Sequence, residues 1–124
     1  MARILLVDDD PDQLEIRKLL LETQEHQVWT AETPPAARQT YEDCGPELAI
    51  LDLRLPQLAD GQALIRDLRE RSSSLRIIVL SGLASDLSQL PEAALVDEVL
   101  PKPFDSGRLL ELIARLAVPV GNKS

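Results

Sequence analysis

Leu48, Ala49, Ile50 and Leu51 form an unbroken aliphatic run of strand length that ends in a single acid, Asp52. A run apolar at every position, rather than at alternate ones, belongs to a strand covered on both faces, as in a parallel sheet. Ile4 to Val7 repeats the pattern and ends in Asp8, Asp9 and Asp10, so a parallel neighbour is expected. Ile77 to Leu80 ends in Ser81 and Gly82, and Glu98 to Leu100 is a brief strand before Pro101, Lys102, Pro103 and Phe104. Gln27 to Ala31, with Val28, Trp29 and Thr30, suits a short edge strand.

Between these runs the spacing turns helical. Asp10 followed by Pro11 reads as a helix N-cap and first helical position, with Asp12 and Glu15 at the positive helix end. A first helix is expected from about Pro11 to Glu25, burying Ile16, Leu19 and Leu20. Pro34 and Pro35 punctuate the chain, and Ala36 to Tyr41 reads as a short helix ended near Gly45 and Pro46. Leu53 to Gly61 reads as a loop broken by Pro56 and Gly61. Gln62 to Arg71 then places Leu64, Ile65 and Leu68 on one helical face, with Arg66, Asp67, Arg69 and Glu70 outside. Leu83, Leu87 and Leu90 have helical spacing that Pro91 should kink or stop. Leu109, Leu112, Ile113 and Leu116 mark a last amphipathic helix, terminated by Pro119 and Gly121. Five strands alternating with five helices imply an α/β fold, a parallel sheet covered on both faces with right-handed crossovers.

A chain of 124 residues reads as one domain that buries roughly two thirds of its unfolded surface. Its 13 Lys and Arg against 21 Asp and Glu give a net charge of −8, which repels a phosphate backbone and argues against direct nucleic-acid contact. The lone Cys44 forms no internal disulfide and the lone His26 builds no His-rich zinc site. Site chemistry therefore rests on carboxylates, hydroxyls and lysine. The aliphatic start, Ile4 to Val7, is far short of a secretory core or the roughly 20 residues of a membrane span, so a cytoplasmic location with no membrane contact is expected.

The strand ends carry reactive groups on one edge. Asp8 and Asp9 follow the first strand, Asp52 the third, Ser81 the fourth and Lys102 the fifth. Parallel strands point one way, so these residues share the carboxyl-end crevice where such sheets bind ligands. Taken singly, Asp52 is a strand cap, Ser81 a turn hydroxyl, Lys102 a surface lysine and the acidic run a solvated helix start. Together, on strands about 5 Å apart, three carboxylates repel one another unless a cation joins them. An all-oxygen set suits Mg²⁺, which completes its shell with waters and phosphate oxygens. The expected chemistry is phosphoryl transfer. Asp52 is the nucleophile, Asp8 and Asp9 hold the metal, and Lys102 and Ser81 meet the phosphoryl oxygens.

The segments ILLVDDDPD, LAILDLRLP with the later Asp60 and Gly61, IIVLSG and LPKPF together resemble the receiver domain of two-component response regulators, over essentially the whole chain. The resemblance implies a flavodoxin-like three-layer sandwich of strand order 2-1-3-4-5, with residues 1–118 as the receiver domain and 119–124 as a tail or the start of a linker. It implies Asp52 as phosphoacceptor, Asp8 and Asp9 as the acidic metal pair, Ser81 as switch hydroxyl, Lys102 as essential lysine and the backbone carbonyl of Arg54 as a further Mg²⁺ ligand. The Lys102–Pro103 bond resembles the family's cis peptide. The phosphoryl donor would be a sensor histidine kinase or phosphotransfer protein, and the domain would be no enzyme beyond its own phosphotransfer and dephosphorylation. The fourth and fifth predicted helices are the expected face for an output partner or a homodimer. Leu83 and the Arg54 side chain flank the acceptor and are expected to slow attack by water. Three departures from the family pattern stand out: Val99 replaces the usual aromatic three residues before the lysine, Gly61 falls one residue late, and the Ser81–Lys102 segment is short and contains Pro91.

Rival readings belong to other classes. A haloacid dehalogenase-type phosphohydrolase would use Asp8 with Asp10 at the first strand, but needs a further acidic motif after the lysine, where only Asp105 and Glu111 remain. An EF-hand starting at Asp8 has Gln13 where glycine is needed and Leu19 where glutamate is needed. The third rival is a receiver-like interaction module that works without phosphorylation, to which Val99 lends weight.

Overall fold

A computed structural model of the chain describes residues 2–53, 55, 57–82 and 90–117. In chain order they form β1 (Arg3–Val7), α1 (Pro11–Glu22), β2 (Gln27–Ala31), α2 (Pro34–Cys44), β3 (Leu48–Asp52), α3 (Leu58–Arg71), β4 (Arg76–Ser81), a 3-10 helix (Pro91–Leu95), β5 (Glu98–Pro101) and α4 (Ser106–Leu116). The five strands pair in parallel in the order β2-β1-β3-β4-β5, the flavodoxin-like arrangement. Leu48 to Leu51 of central β3 are fully buried, as a strand covered on both faces requires.

Two apolar layers flank the sheet. On one side Leu5, Val7, Ala49 and Leu51 pack with Ala37 of α2 and with Leu64, Ile65 and Leu68 of α3. On the other, Ile4, Leu6, Leu48 and Ile50 pack with Leu14 and Leu21 of α1 and with Leu109, Leu112 and Ile113 of α4. Each Val, Leu or Ile side chain among them contributes about 1.5–3 kcal/mol on burial. Alternate strand residues thus serve opposite layers.

The helices differ from expectation in instructive ways. Among the described residues there are four α-helices and one 3-10 helix rather than five helices. The helix expected over Leu83 to Leu90 falls on residues 83–89, outside those described. Leu90 itself is extended, at φ −106° and ψ 150°, the conformation that a following proline imposes. Pro34 and Pro35 do not precede α2 but open it, behind the Thr33 side chain, which accepts from the Ala36 amide at 3.2 Å. α2 ends at Gly45, whose φ of 57° closes the helix in the left-handed region.

α3 begins at Leu58, not Gln62. Gln57 and Asp60 form a reciprocal capping box, with the Gln57 amide donating to Asp60 Oδ2 at 3.1 Å. The expected loop over Leu53 to Gly61 is therefore shorter, and Gly61 lies in the first turn of the helix. Arg69, expected outside, is half-buried and donates to the carbonyls of Leu75 at 2.6 Å and Leu95 at 2.7 Å. It fastens the 3-10 segment to α3.

α1 is also shorter than expected, and its buried stripe is a different one. Ile16 and Leu19 are 60% and 59% exposed, while Leu14 and Leu21 are buried. Asp10 accepts from the Asp12 and Gln13 amides, so this cap with Pro11 opens the helix, while packing of Leu14 and Leu21 on the sheet sets its phase. That phase turns Leu14, Arg17 and Leu21 toward the sheet.

Glu92 of the 3-10 helix is buried and accepts from Gln62 Nε2 at 2.9 Å and Arg66 Nη1 at 2.6 Å. These two hydrogen bonds hold its carboxyl below the ordinary value of 4.5. A depressed carboxylate contributes stability that is present above the unfolded value and lost as pH falls through the folded one. Wild type should therefore lose stability more steeply than Glu92→Gln as pH drops below 4.5. At neutral pH the substitution should cost about 1–2 kcal/mol. Urea unfolding at a series of pH values reads both, and parallel pH slopes for the two proteins would contradict the assignment.

Candidate functional site

Strand register assembles the site. Val7 pairs with Leu51, which brings Asp8 level with Asp52. Asp52 pairs with Leu80 and Ser81 with Pro101, so Ser81 and Lys102 follow one step further along the same rim. Backbone bonds close the rim: Leu53 N–H donates to Leu80 O at 3.1 Å and Lys102 N–H to Ser81 O at 2.7 Å. The Lys102–Pro103 peptide is cis, as the resemblance implied.

One carboxylate oxygen from each of Asp8, Asp9 and Asp52 lies within 4.8 Å of the others. Lys102 Nζ stands 2.9 Å from Asp52 Oδ2, with the Asp52 side chain 14% exposed. Asp8 is buried; its Oδ1 accepts from the Asp10 amide at 3.0 Å and its Oδ2 from Arg17 Nη1 at 2.7 Å. Ser81 is buried at the end of β4. Asp9 faces solvent, yet its pKa is raised above the usual carboxylate value, first by partial loss of hydration at the crowded rim and then by the charges of Asp8 and Asp52. The crowding that raises it is what a cation would relieve.

Asp8, Asp9, Asp52, Ser81 and Lys102 thus come together on one edge. Arg54 and Leu83 lie outside the described residues, as do Pro119 and Gly121. The donor set is oxygen only and half-buried, which fits Mg²⁺ better than a softer ion. Two rivals lose ground here. Asp10 caps α1 and Asp12 lies within that helix, so no calcium loop runs through them. Asp8, buried and already held by Arg17 and the Asp10 amide, is poorly placed as a nucleophile.

Arg17 is the residue that sequence reasoning missed. Its signal becomes legible only once the sheet is seen to cover the Leu14–Leu21 face of α1, which sets one arginine between those two buried residues.

The family model described as the response regulator receiver domain matches residues 4–114. The chain is 36% identical to the KDP operon transcriptional regulatory protein KdpE of Escherichia coli, over 100% of this chain and 53% of that protein. It is 34% identical to the virulence transcriptional regulatory protein PhoP of Salmonella typhimurium, over 94% of this chain and 50% of that protein. The chain spans about half the length of these curated relatives. Among solved structures, the non-phosphorylated HemR receiver domain of Leptospira biflexa superposes with TM-score 0.86 at 30% identity, covering 97% of each chain. The response regulator TrrA of Thermotoga maritima, in complex with Mg²⁺–BeF, superposes with TM-score 0.84 at 29% identity, covering 94% of this chain and 99% of that one.

Proposed function

Because the chain belongs to the response regulator receiver domain family, we propose that it is a phosphorylation-dependent signalling switch that accepts a phosphoryl group on Asp52. The observation that carries this reading is the placement of Lys102 Nζ 2.9 Å from Asp52 Oδ2, beside two further carboxylates within 4.8 Å. An Asp52 carboxylate oxygen attacks phosphorus, forming the acyl phosphate. The bond from phosphorus to the donor's imidazole nitrogen breaks, and the imidazole departs with a proton.

Asp8, Asp9 and Asp52 would hold Mg²⁺, with the Arg54 carbonyl as a further ligand by resemblance. The ion supplies Lewis-acid stabilisation of the phosphoryl oxygens. Lys102 offsets the charge that builds on those oxygens, and the Ser81 hydroxyl donates to one of them. Moving Lys102 from Asp52 to the phosphoryl group pulls on the end of β5. That is how phosphorylation shifts the population of two arrangements. Val99 is half-buried against the core and has no ring to swing, so the readout runs through Ser81, Lys102 and their loops.

The phosphoryl donor in this reading is a sensor histidine kinase or phosphotransfer protein, and the setting is the cytoplasm. No helix among the described residues is long and apolar enough to cross a membrane. The transcriptional roles named for KdpE and PhoP are those of proteins about twice as long. An output for this chain would pass to a partner or to an attached domain, with α4 as part of the face.

Incubation with acetyl phosphate and Mg²⁺ is expected to add one phosphoryl group per chain, read by intact mass. Chelation with EDTA should prevent it. A chain that takes up no phosphoryl group under these conditions would instead be the phosphorylation-independent module.

A further inference from the structure

The phase of α1 leaves an arginine where a leucine would be expected. Arg17 lies between the buried Leu14 and Leu21, and a charge in such a stripe is costly unless it is paired. Its partner is Asp8: Nη1 to Oδ2 is 2.7 Å, with the two side chains 11% and 3% exposed. The other Asp8 oxygen is taken by the Asp10 amide.

We propose that Arg17 competes with Mg²⁺ for the Asp8 carboxylate and so sets the metal affinity of the phosphoryl-transfer site. The inference rests on the metal-binding reading of Asp8, Asp9 and Asp52 given above. A cation already seated among clustered carboxylates relieves part of the repulsion that a metal would relieve, so the gain left for the metal is smaller. A guanidinium cannot withdraw by losing its proton. It has to move, and the structure has room for that movement. Its carbon lies 5.8 Å from the centroid of the Phe104 ring, at the edge of a cleft of about 420 Å³ lined by Ile16, Leu20, Lys102 and Phe104. Metal loading is thereby tied to the surface between α1 and the segment after β5.

Arg17 is a positioning residue in this scheme and touches no reacting atom. The test is calorimetric titration of Mg²⁺ into wild type, Arg17→Met and Arg17→Lys, with thermal melting of each protein with and without saturating Mg²⁺. Methionine keeps an unbranched stem and packs well beside an aromatic ring. Removing the competing charge should tighten Mg²⁺ binding about tenfold in R17M. Lysine, which keeps a cation on the same stem, should stay within about threefold of wild type. Without Mg²⁺, R17M should melt lower than wild type, and the gap should close at saturation because ligand bound to the folded state stabilises it. A packing role alone would lower the melting temperature without tightening the metal.

Equal or weaker Mg²⁺ binding in R17M overturns the inference. Absence of binding by both proteins overturns it together with the metal site. Intact Mg²⁺ binding with the predicted difference, but no phosphoryl uptake, would strike the phosphorylation reading and leave this one standing.

Discussion

Asparagine at position 52 is expected to reduce phosphoryl incorporation from acetyl phosphate by at least about 100-fold. Asp52 ends β3 with its side chain largely buried and its Oδ2 bonded to Lys102 Nζ. Asparagine has the same shape, and its amide oxygen can still accept from that lysine, so the strand and the rim should survive. The carboxylate nucleophile does not, since the amide nitrogen's lone pair is delocalised. The substitution also takes one charge from a cluster of three, which weakens Mg²⁺ binding at the same time. Peptide mapping of the labelled wild type separates the classes of function. A label on Asp52 is the receiver outcome, whereas a label on Asp8 would mark the dehalogenase-type arrangement. Label retained by D52N would remove Asp52 from its role.

Alanine at position 61 is expected to destabilise the protein by about 3 kcal/mol, near the upper end for overpacking a closed contact. A Cβ on Gly61 would stand 1.7 Å from the Leu53 carbonyl oxygen and 2.7 Å from its carbon. The clash is with backbone, so no side chain can turn aside to relieve it. Either the first turn of α3 lifts from the sheet or Leu53 shifts, and Leu53 directly follows Asp52. Labelling should therefore fall along with stability. Gly82 offers the contrast, because a Cβ there meets nothing within 4 Å among the described residues, and Gly82→Ala should stay within about 0.5 kcal/mol of wild type. Urea midpoints for the two variants decide the matter, and a G61A protein as stable as G82A would show that the close approach is not held in solution.

Strands were legible because their signal is local. Leu48 to Leu51 is apolar at every position, and such a run declares both its conformation and its burial. The residue after it then has to lie on the carboxyl edge. Once parallel order is granted, Asp8, Asp9, Asp52, Ser81 and Lys102 meet without further information, and the register shows them doing so. Family resemblance added the strand order and the roles.

Helix faces were harder to read, because amphipathic spacing names a stripe but not which stripe the sheet covers. On α1 the residues Ile16, Leu19 and Leu20 form the more apolar stripe. The fold buries Leu14 and Leu21 instead, since Arg17 between them has the Asp8 carboxylate to pair with. Gly61 and Pro56 argued for loop over Leu53 to Gly61, but the glycine is there to let α3 press on the backbone of Leu53. Arg69 looked like a solvated charge until its carbonyl partners, Leu75 beyond the end of α3 and Leu95 26 residues away, came within reach.

Short-range apolar order along the chain thus decided the sheet and which side chains share its rim. Packing in the folded molecule decided the phase of α1, the close approach of α3 to Leu53 and the seating of Arg17 against Asp8, because a charge buried on a helix face can be judged only beside the partner that neutralises it.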